Sequence, residues 1–330
     1  MHTIERRTGP TRRMALLAMG GLLGLGSTVA MAGQFPEKPV KLIIGNPPGG
    51  TSDILARLVG AELSLIWKQP VVVENMAGAS GSIAMGNVAR SAPDGYTIGL
   101  LNLNHVVFEA LTRKPPYVIA KDLTPIVAMA RQSNVLVVSS KLPVSTTAQL
   151  VAYLKANPSS ASFASGGPGS PSHLGGELFK QQTGVEMVHV PYRGAGPAVQ
   201  DVVAGNVTLM FAAAPSALPQ VQGGTMRALG VTGDVRAPQS PSIPTLKEQG
   251  FDVVIRDWQG LVGPAGLADD VVRKINADVQ AVLARPEIQA RISAMGGEVL
   301  TGPPADFTAM IQAESTKWKR VITTGGLTAE

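Results

Sequence analysis

The stretch Asn46-Pro47-Pro48-Gly49-Gly50-Thr51-Ser52-Asp53 decides how this chain is read. It follows the apolar run Val40-Lys41-Leu42-Ile43-Ile44 and precedes Ile54-Leu55-Ala56-Arg57-Leu58-Val59. That order predicts a strand, a tight turn and a helix whose first turn carries Thr, Ser and Asp. The prolines remove backbone donors and stiffen the approach, while the glycines permit left-handed backbone and leave no side chain in the way. The first N–H groups of the helix have no intrahelical partner, and such a terminus attracts an anion. Two uses of the stretch remain open locally. One is an anion site; the other is a plain strand-to-helix connection with Thr51 or Ser52 as the cap and Asp53 offsetting the helix dipole.

Outward from this stretch the same grammar repeats. The helix continues over 54–65, and Val71-Val72-Val73-Glu74 is a second strand. Asn75-Met76-Ala77-Gly78-Ala79-Ser80-Gly81-Ser82 is a second glycine-rich loop that opens onto a helix over 83–89, and a strand over 96–101 follows. Later come strands over 135–138, 162–164, 187–191, 207–211 and 226–231, with helices over 147–156, from about 174, and around 198–204. Between two of these lies Ser165-Gly166-Gly167-Pro168-Gly169-Ser170-Pro171-Ser172-His173. Two short strands, 253–255 and 258–262, precede two closing helices over 271–283 and about 304–321. Strand–loop–helix units predict an α/β protein with a mainly parallel sheet flanked by helices. The loops at 46–53 and 165–173 occupy equivalent places in two lobes, and the length of 330 residues suits two lobes.

Composition excludes several classes. Residues 1–32 hold four arginines and one acid, so the remainder carries 24 basic and 22 acidic residues. No basic cluster of nucleic-acid type remains. Aromatic residues make up 4%, too few for a base-stacking surface. With no cysteine, disulfides, thiolate metal sites and acylated-cysteine tethers are excluded.

The N-terminus reads as an address. Arg6, Arg7, Arg12 and Arg13 precede an apolar run that ends at Ala30-Met31-Ala32, a small-x-small cleavage pattern before Gly33-Gln34. Export to the periplasm with cleavage near Ala32 is expected, by the general secretory or the twin-arginine route.

In open α/β sheets, ligands bind beyond the carboxyl ends of the strands. Here those ends are Pro48, Gly49, Gly50, Thr51, Ser52 and Asp53; Gly81 and Ser82; Asn102; Gly167, Gly169, Ser170 and His173; and Tyr192, Arg193 and Gly194. Backbone N–H groups and small hydroxyls can hold a carboxylate, each charge-assisted bond contributing roughly 1.5–3 kcal/mol. No G-x-S-x-G elbow, P-loop or H-E-x-x-H motif occurs. Neither a metal nor a cofactor is expected. His173 and Glu177 lie one helical turn apart with no third ligand in sight, so His173 is read as lining the cleft or supporting its loop. His189 is read as a packing residue of its strand. Asp53 is taken as a brace, with the Thr51 and Ser52 groups as the ligand contacts.

Read together, these segments resemble the Bug family, the periplasmic solute receptors of tripartite tricarboxylate transporters. The resemblance rests on Phe35-Pro36-Glu37-Lys38-Pro39-Val40, Pro47 to Asp53, Val71 to Asn75, Ala92-Pro93-Asp94-Gly95-Tyr96-Thr97, His173-Leu174 with Glu177-Leu178-Phe179, Val188 to Gly194, and Pro215 to Pro219. It implies a two-lobed type II periplasmic-binding-protein fold. It also implies a carboxylate held between Pro48–Asp53 and Gly167–His173, partly through bridging water, and closure about two crossings. We place the crossings near 130–133 and 231–234, which gives lobe one over 33–131 plus 234–330 and lobe two over 132–233. The implied partners are a small carboxylate and the membrane permease of the transporter, with the receptor itself a monomer. At Ala212-Ala213-Ala214 the chain departs from members that carry Asp-Asn there, and Ala212 and Ala213 point to an acid without an amino group. Two other functions fit the same residues: an exported enzyme using His173, Glu177 or Asp53 on a small acid, and a binder that presents its ligand to a membrane sensor.

Overall fold

A computed structural model describes residues 2–3 and 35–326; the expected export signal, apart from His2 and Thr3, lies outside the described residues. The chain begins with β1 (Val40–Ile44), α1 (Thr51–Trp67), β2 (Val71–Asn75), a short 3-10 turn (Ala79–Gly81), α2 (Ser82–Ala89), β3 (Thr97–Asn102), α3 (Leu103–Leu111) and α4 (Ile119–Asp122). It continues through β4 (Leu123–Ser139), α5 (Thr147–Ala156), β5 (Ser162–Ser165), α6 (Pro171–Thr183), β6 (Val188–Pro191), α7 (Ala195–Ala204), β7 (Leu209–Ala213), α8 (Ala214–Gln222) and β8 (Met226–Val231). β9 (Arg256–Pro264), α9 (Asp269–Leu283), α10 (Pro286–Ala294), β10 (Gly297–Val299) and α11 (Pro304–Gly325) complete it.

The strands form one ten-stranded sheet in the order β2-β1-β3-β9-β4-β7-β5-β6, with β8 and β10 also paired to β4. The outer trios are parallel, β2-β1-β3 at one end and β6-β5-β7 at the other. Every pairing of β9 and β4 is antiparallel. β4 joins the halves. Up to Ser133, which faces Arg256, it pairs with β9; from Asn134, which faces Ala213, it pairs with β7. The molecule is therefore two α/β lobes built on one shared strand.

Of β4, only Val135–Val138 was legible as a strand in the sequence, because that part is buried on both faces and reads as an unbroken apolar run. Alternate residues serve two cores: Leu136 and Val138 pack with Phe163, Phe179 and Phe211, whereas Val135 and Val137 pack with Ala164, Met210 and Ala212. The earlier part, Leu123–Ser133, mixes Thr, Pro, Arg and Gln into the strand and hides its periodicity. Where 253–255 and 258–262 were expected as two strands, β9 is one strand beginning at Arg256. α10 also stands between the two expected closing helices, started by Pro286 at its first turn, a position where proline costs nothing.

At the crossing, Asn134 N–H donates to Thr232 Oγ1 at 2.9 Å, Thr232 N–H donates to the Asn134 carbonyl at 2.9 Å, and Ile255 N–H donates to the Thr232 carbonyl at 2.9 Å. Residues 234–255 lie against β8, where Leu246 N–H donates to the Val231 carbonyl at 2.9 Å. No helix among the described residues is long and apolar enough to cross a membrane.

Candidate ligand cleft

The first loop is held from three sides. Its Asp53 is 5% exposed and has both carboxylate oxygens engaged. Oδ2 accepts the Gly49 N–H at 3.0 Å, and Oδ1 accepts from Arg57 Nε at 3.0 Å and Asn75 Nδ2 at 2.9 Å. The Arg57 bond and these amide donors hold the Asp53 pKa down to about 2. Asn46 is fixed twice, its carbonyl by Asn75 Nδ2 and its Oδ1 by Asn102 Nδ2, each at 3.0 Å. Gly45 lies so close to the second loop that a Cβ there would stand 2.6 Å from Gly81 Cα.

Neither Thr51 nor Ser52 caps α1. The cap is Gly50, in extended backbone with no side-chain bond, so no capping side chain spends the N–H groups of the first turn. The plain connection with a hydroxyl cap is thus not what forms here.

Gly81 and Ser82 abut this loop. Gly78, Ala79, Ser80 and Gly81 all have positive φ, and a Cβ on Gly81 would stand 2.5 Å from His105 Nε2. His105 itself is buried, and its Nδ1 accepts the Asn102 N–H at 3.0 Å while Asn102 Oδ1 accepts from Asn104. Burial pulls the His105 pKa down to about 4, so the ring is neutral at physiological pH and can accept that bond. Asn102 thus caps α3 and grips Asn46 in one residue.

The second loop is internally saturated. Gly166 N–H donates to Ser172 Oγ at 3.1 Å, Gly167 N–H to Ser165 Oγ at 3.0 Å and Gly169 N–H to His173 Nδ1 at 3.1 Å. Ser170 caps α6 and donates its hydroxyl to the Gly167 carbonyl at 2.6 Å. The Ser170 and Ser172 hydroxyls are spent inside the loop as well: Ser170 Oγ accepts the His173 N–H and lies 3.0 Å from Ser172 Oγ, and Ser172 is buried. His173 stacks on His189 with ring centroids 4.1 Å apart, and His189 stacks on Phe163 at 4.9 Å. Ser165 Oγ lies 2.6 Å from His189 Nε2. Burial lowers the pKa of both histidines to about 4. Glu177 pairs with Lys180 at 3.2 Å and lies 3.9 Å from His173. His173 supports the loop, and no group of three or more metal-capable side chains occurs among the described residues.

The lobes meet at this loop: a Cβ on Gly169 would sit 3.6 Å from Val107 and 3.8 Å from Leu111 on α3. The third strand end runs alongside, with Gly166 next to Gly194 and Gly167 next to the Tyr192 carbonyl. Tyr192 directs its hydroxyl to Asp201 at 2.5 Å, and burial together with that carboxylate pushes its pKa up to about 12. Arg193 is exposed and Gly194 caps α7. Ala212 is wholly buried in the core, and Ala213 is half-buried opposite Asn134.

Sequence reasoning missed the polar floor beside Thr51: Gln132, Asp257 and Gln259, on β4 and β9. The signal available was polar amides interrupting apolar strand runs. Gln132, Asn134 and Gln259 are all buried, and Gln132 Nε2 donates to Asp257 Oδ2 at 3.1 Å. Burial without a cation pushes the Asp257 pKa up to about 6.

A family model described as the tripartite tricarboxylate transporter family receptor matches residues 55–327. Protein BugT of Bordetella pertussis is 32% identical over 314 residues, which cover 93% of this chain and 96% of BugT. Among solved structures, Rpa4515 of R. palustris with adipate is 34% identical with a TM-score of 0.81, covering 89% of this chain and 99% of that one. MatC of Rhodopseudomonas palustris with bound malate is 30% identical with a TM-score of 0.77, covering 87% of this chain and 100% of that one. The shared architecture is the two-lobed fold of periplasmic solute-binding proteins. By the extent of these matches, this chain belongs to the tripartite tricarboxylate transporter receptor family.

Proposed function

We propose that the protein is a periplasmic receptor that captures a small organic carboxylate between its lobes and delivers it to a tripartite tricarboxylate-type membrane permease. The observation that carries this reading is the uncapped N-terminus of α1. Asp53 braces the loop ahead of that terminus, one carboxylate oxygen accepting the Gly49 N–H and the other engaged by Arg57 and Asn75. A preorganised helix terminus with unspent donors costs little to bind an anion, because its ordering is already done. The second loop, Gly167–His173, faces the same anion from the other lobe, and bridging water makes the contact where the loop's amides and hydroxyls are already engaged. Pro48, Gly49, Gly81, Ser82 and Asn102 shape the first wall. Gly167, Gly169, His173, Tyr192, Arg193 and Gly194 shape the second.

The division into lobes supports closure. We take the hinge to be the shift of β4 from one partner strand to another at Ser133 and Asn134, with the return through Ile255 and residues 234–255 carried on lobe two. Binding rather than catalysis fits the histidines: His173 Nδ1 is spent on Gly169, and His189 is spent on Ser165. Adipate and malate in related structures make dicarboxylates and hydroxy acids the first ligands to try.

The test is a thermal-shift screen of the mature protein, from Gly33 onward, against mono-, di- and tricarboxylates after carried-over ligand is removed. An acid at 100 times its dissociation constant stabilises by about 2.7 kcal/mol. No shift with any acid at millimolar concentration overturns the proposal.

A further inference from the structure

Beside the clamp, Thr51, Gln132, Asp257 and Gln259 line a cavity of about 10 Å³, room for one water-sized group. Asp257 and Gln259 stand two residues apart on β9, so their side chains leave the same face of the strand. Gln259 is 3% exposed, yet its Oε1 has no hydrogen-bond partner. Asp257 Oδ2 accepts from Gln132 Nε2 at 3.1 Å. The cations nearby are spent elsewhere: Arg131 of β4, on the cavity wall, donates its Nε to Glu298 of β10 at 3.1 Å, and Arg256 of β9 pairs with Asp234. α1 contributes Thr51 and Leu55 to the wall and α10 contributes Ile292 and Met295, none of them charged. A charged Asp257 therefore shares a small cavity with an unpaired amide oxygen, two acceptors without a donor between them, which is costly in a buried place. A proton on Asp257 removes the conflict. The carboxyl then donates, directly or through one water, to Gln259 Oε1 while still accepting from Gln132.

We propose that Asp257 is a proton site linked to the clamp: the receptor takes up a proton there as it captures its anion, and its affinity falls as the medium turns alkaline. The inference rests on the carboxylate-binding reading above. The link runs through Thr51, whose N–H belongs to the first turn of α1 and which also lines the cavity. A carboxylate held on that turn repels a charge on Asp257 and leaves a neutral carboxyl undisturbed. Anion and proton therefore favour each other, and the effect is reciprocal. Burial already holds the Asp257 pKa up at about 6, so the change of charge falls near neutral pH. His105, His173 and His189, each lowered to about 4, keep one charge state across that range.

Calorimetric titration of the mature protein, from Gly33 onward, with succinate, adipate and malate at pH 6, 7 and 8 reads the linkage. With an acid that binds, the dissociation constant is expected to rise about tenfold from pH 6 to pH 8, the effect of raising the Asp257 pKa by about one unit on binding. At pH 7, heats measured in phosphate and in Tris differ through the ionisation of the buffer, and the difference is expected to give uptake of about half a proton per ligand. Asp257→Asn, the isostere of the neutral carboxyl, is expected to hold the affinity seen at pH 6 across the whole range and to take up no proton. Asp257→Ala, equally flat with pH, replaces it if melting curves show that variant unfolded. Affinity independent of pH in the wild type, the result of a Gln259 amide turned to donate to a charged Asp257, overturns the proton site and leaves the receptor function standing. So does a pH dependence undiminished in a folded variant. Absence of binding by every acid overturns both.

Discussion

The carboxylate of Asp53 reaches back four residues to accept the N–H of Gly49 at 3.0 Å, with the Gly49 backbone at a φ of 84°. This bond fixes the loop ahead of α1 in a shape that only glycine adopts without strain. Arg57, one turn further along α1, completes the brace from outside.

Asp53→Asn is expected to destabilise the protein by about 1–3 kcal/mol, since a charge-assisted network loses its charge. Its pH dependence has a definite sign. The Asp53 pKa is lowered from 3.8 to about 2 in the folded state, so its contribution is fully present above 3.8 and is lost as pH falls through about 2. Urea titrations of wild type and variant across this range should show the gap closing as pH falls; a gap of constant size contradicts the brace.

The acid of the polar floor beside Thr51 behaves oppositely. The Asp257 pKa is raised from 3.8 to about 6, so its contribution is fully present below 3.8 and is lost as pH rises through about 6. At pH 8 the folded protein therefore buries a charge with no cation beside it. Asp257→Asn is expected to raise the melting temperature at pH 8 and to leave it nearly unchanged at pH 3.5. A variant less stable at pH 8 rules this out.

Gly81→Ala tests the junction of the two loops of lobe one. The φ of 86° disfavours any side chain, and the new methyl would overlap His105. Strain and overpacking together cost about 2–4 kcal/mol, and displacement of Gly45 should weaken ligand binding as well. Chemical denaturation and calorimetry check the two effects separately; wild-type values for both contradict the packing described.

The stacked histidines should stay neutral well below the usual histidine range. His173 and His189 are lowered from 6.5 to about 4 by burial, with Lys180 adding to the effect. Stability is consequently lost as pH falls from 6.5 towards 4, where the unfolded chain takes up protons that the folded one resists. Ring-proton NMR shifts give the answer, and a midpoint near 6.5 for either ring refutes the burial.

Much of the cleft was legible in the sequence because glycine, proline and small hydroxyl residues mark strand ends with little ambiguity. Loops 46–53 and 165–173, the resemblance they carried and the bracing role of Asp53 all came from that grammar. α3 was not legible, since Asn102 reads as a loop residue until its capping bond with His105 is seen. Nor was the floor. Gln132, Asp257 and Gln259 become neighbours only because β4 and β9 run antiparallel in a particular register, pairing Gln132 with Asp257 and Ala130 with Gln259. The saturation of the second loop was also hidden, because Ser165, Ser172 and His173 spend their side chains on its amides through bonds that no spacing rule reveals.

The central claim, that the uncapped start of α1 faces the second loop across a carboxylate, is tested most directly by a crystal structure of the mature protein with malate bound. One ligand carboxylate is predicted within hydrogen-bond distance of the Thr51 or Ser52 N–H groups on one side and, through a bridging water, of the Gly167–His173 loop on the other. A malate seated elsewhere, with both loop ends untouched, contradicts it.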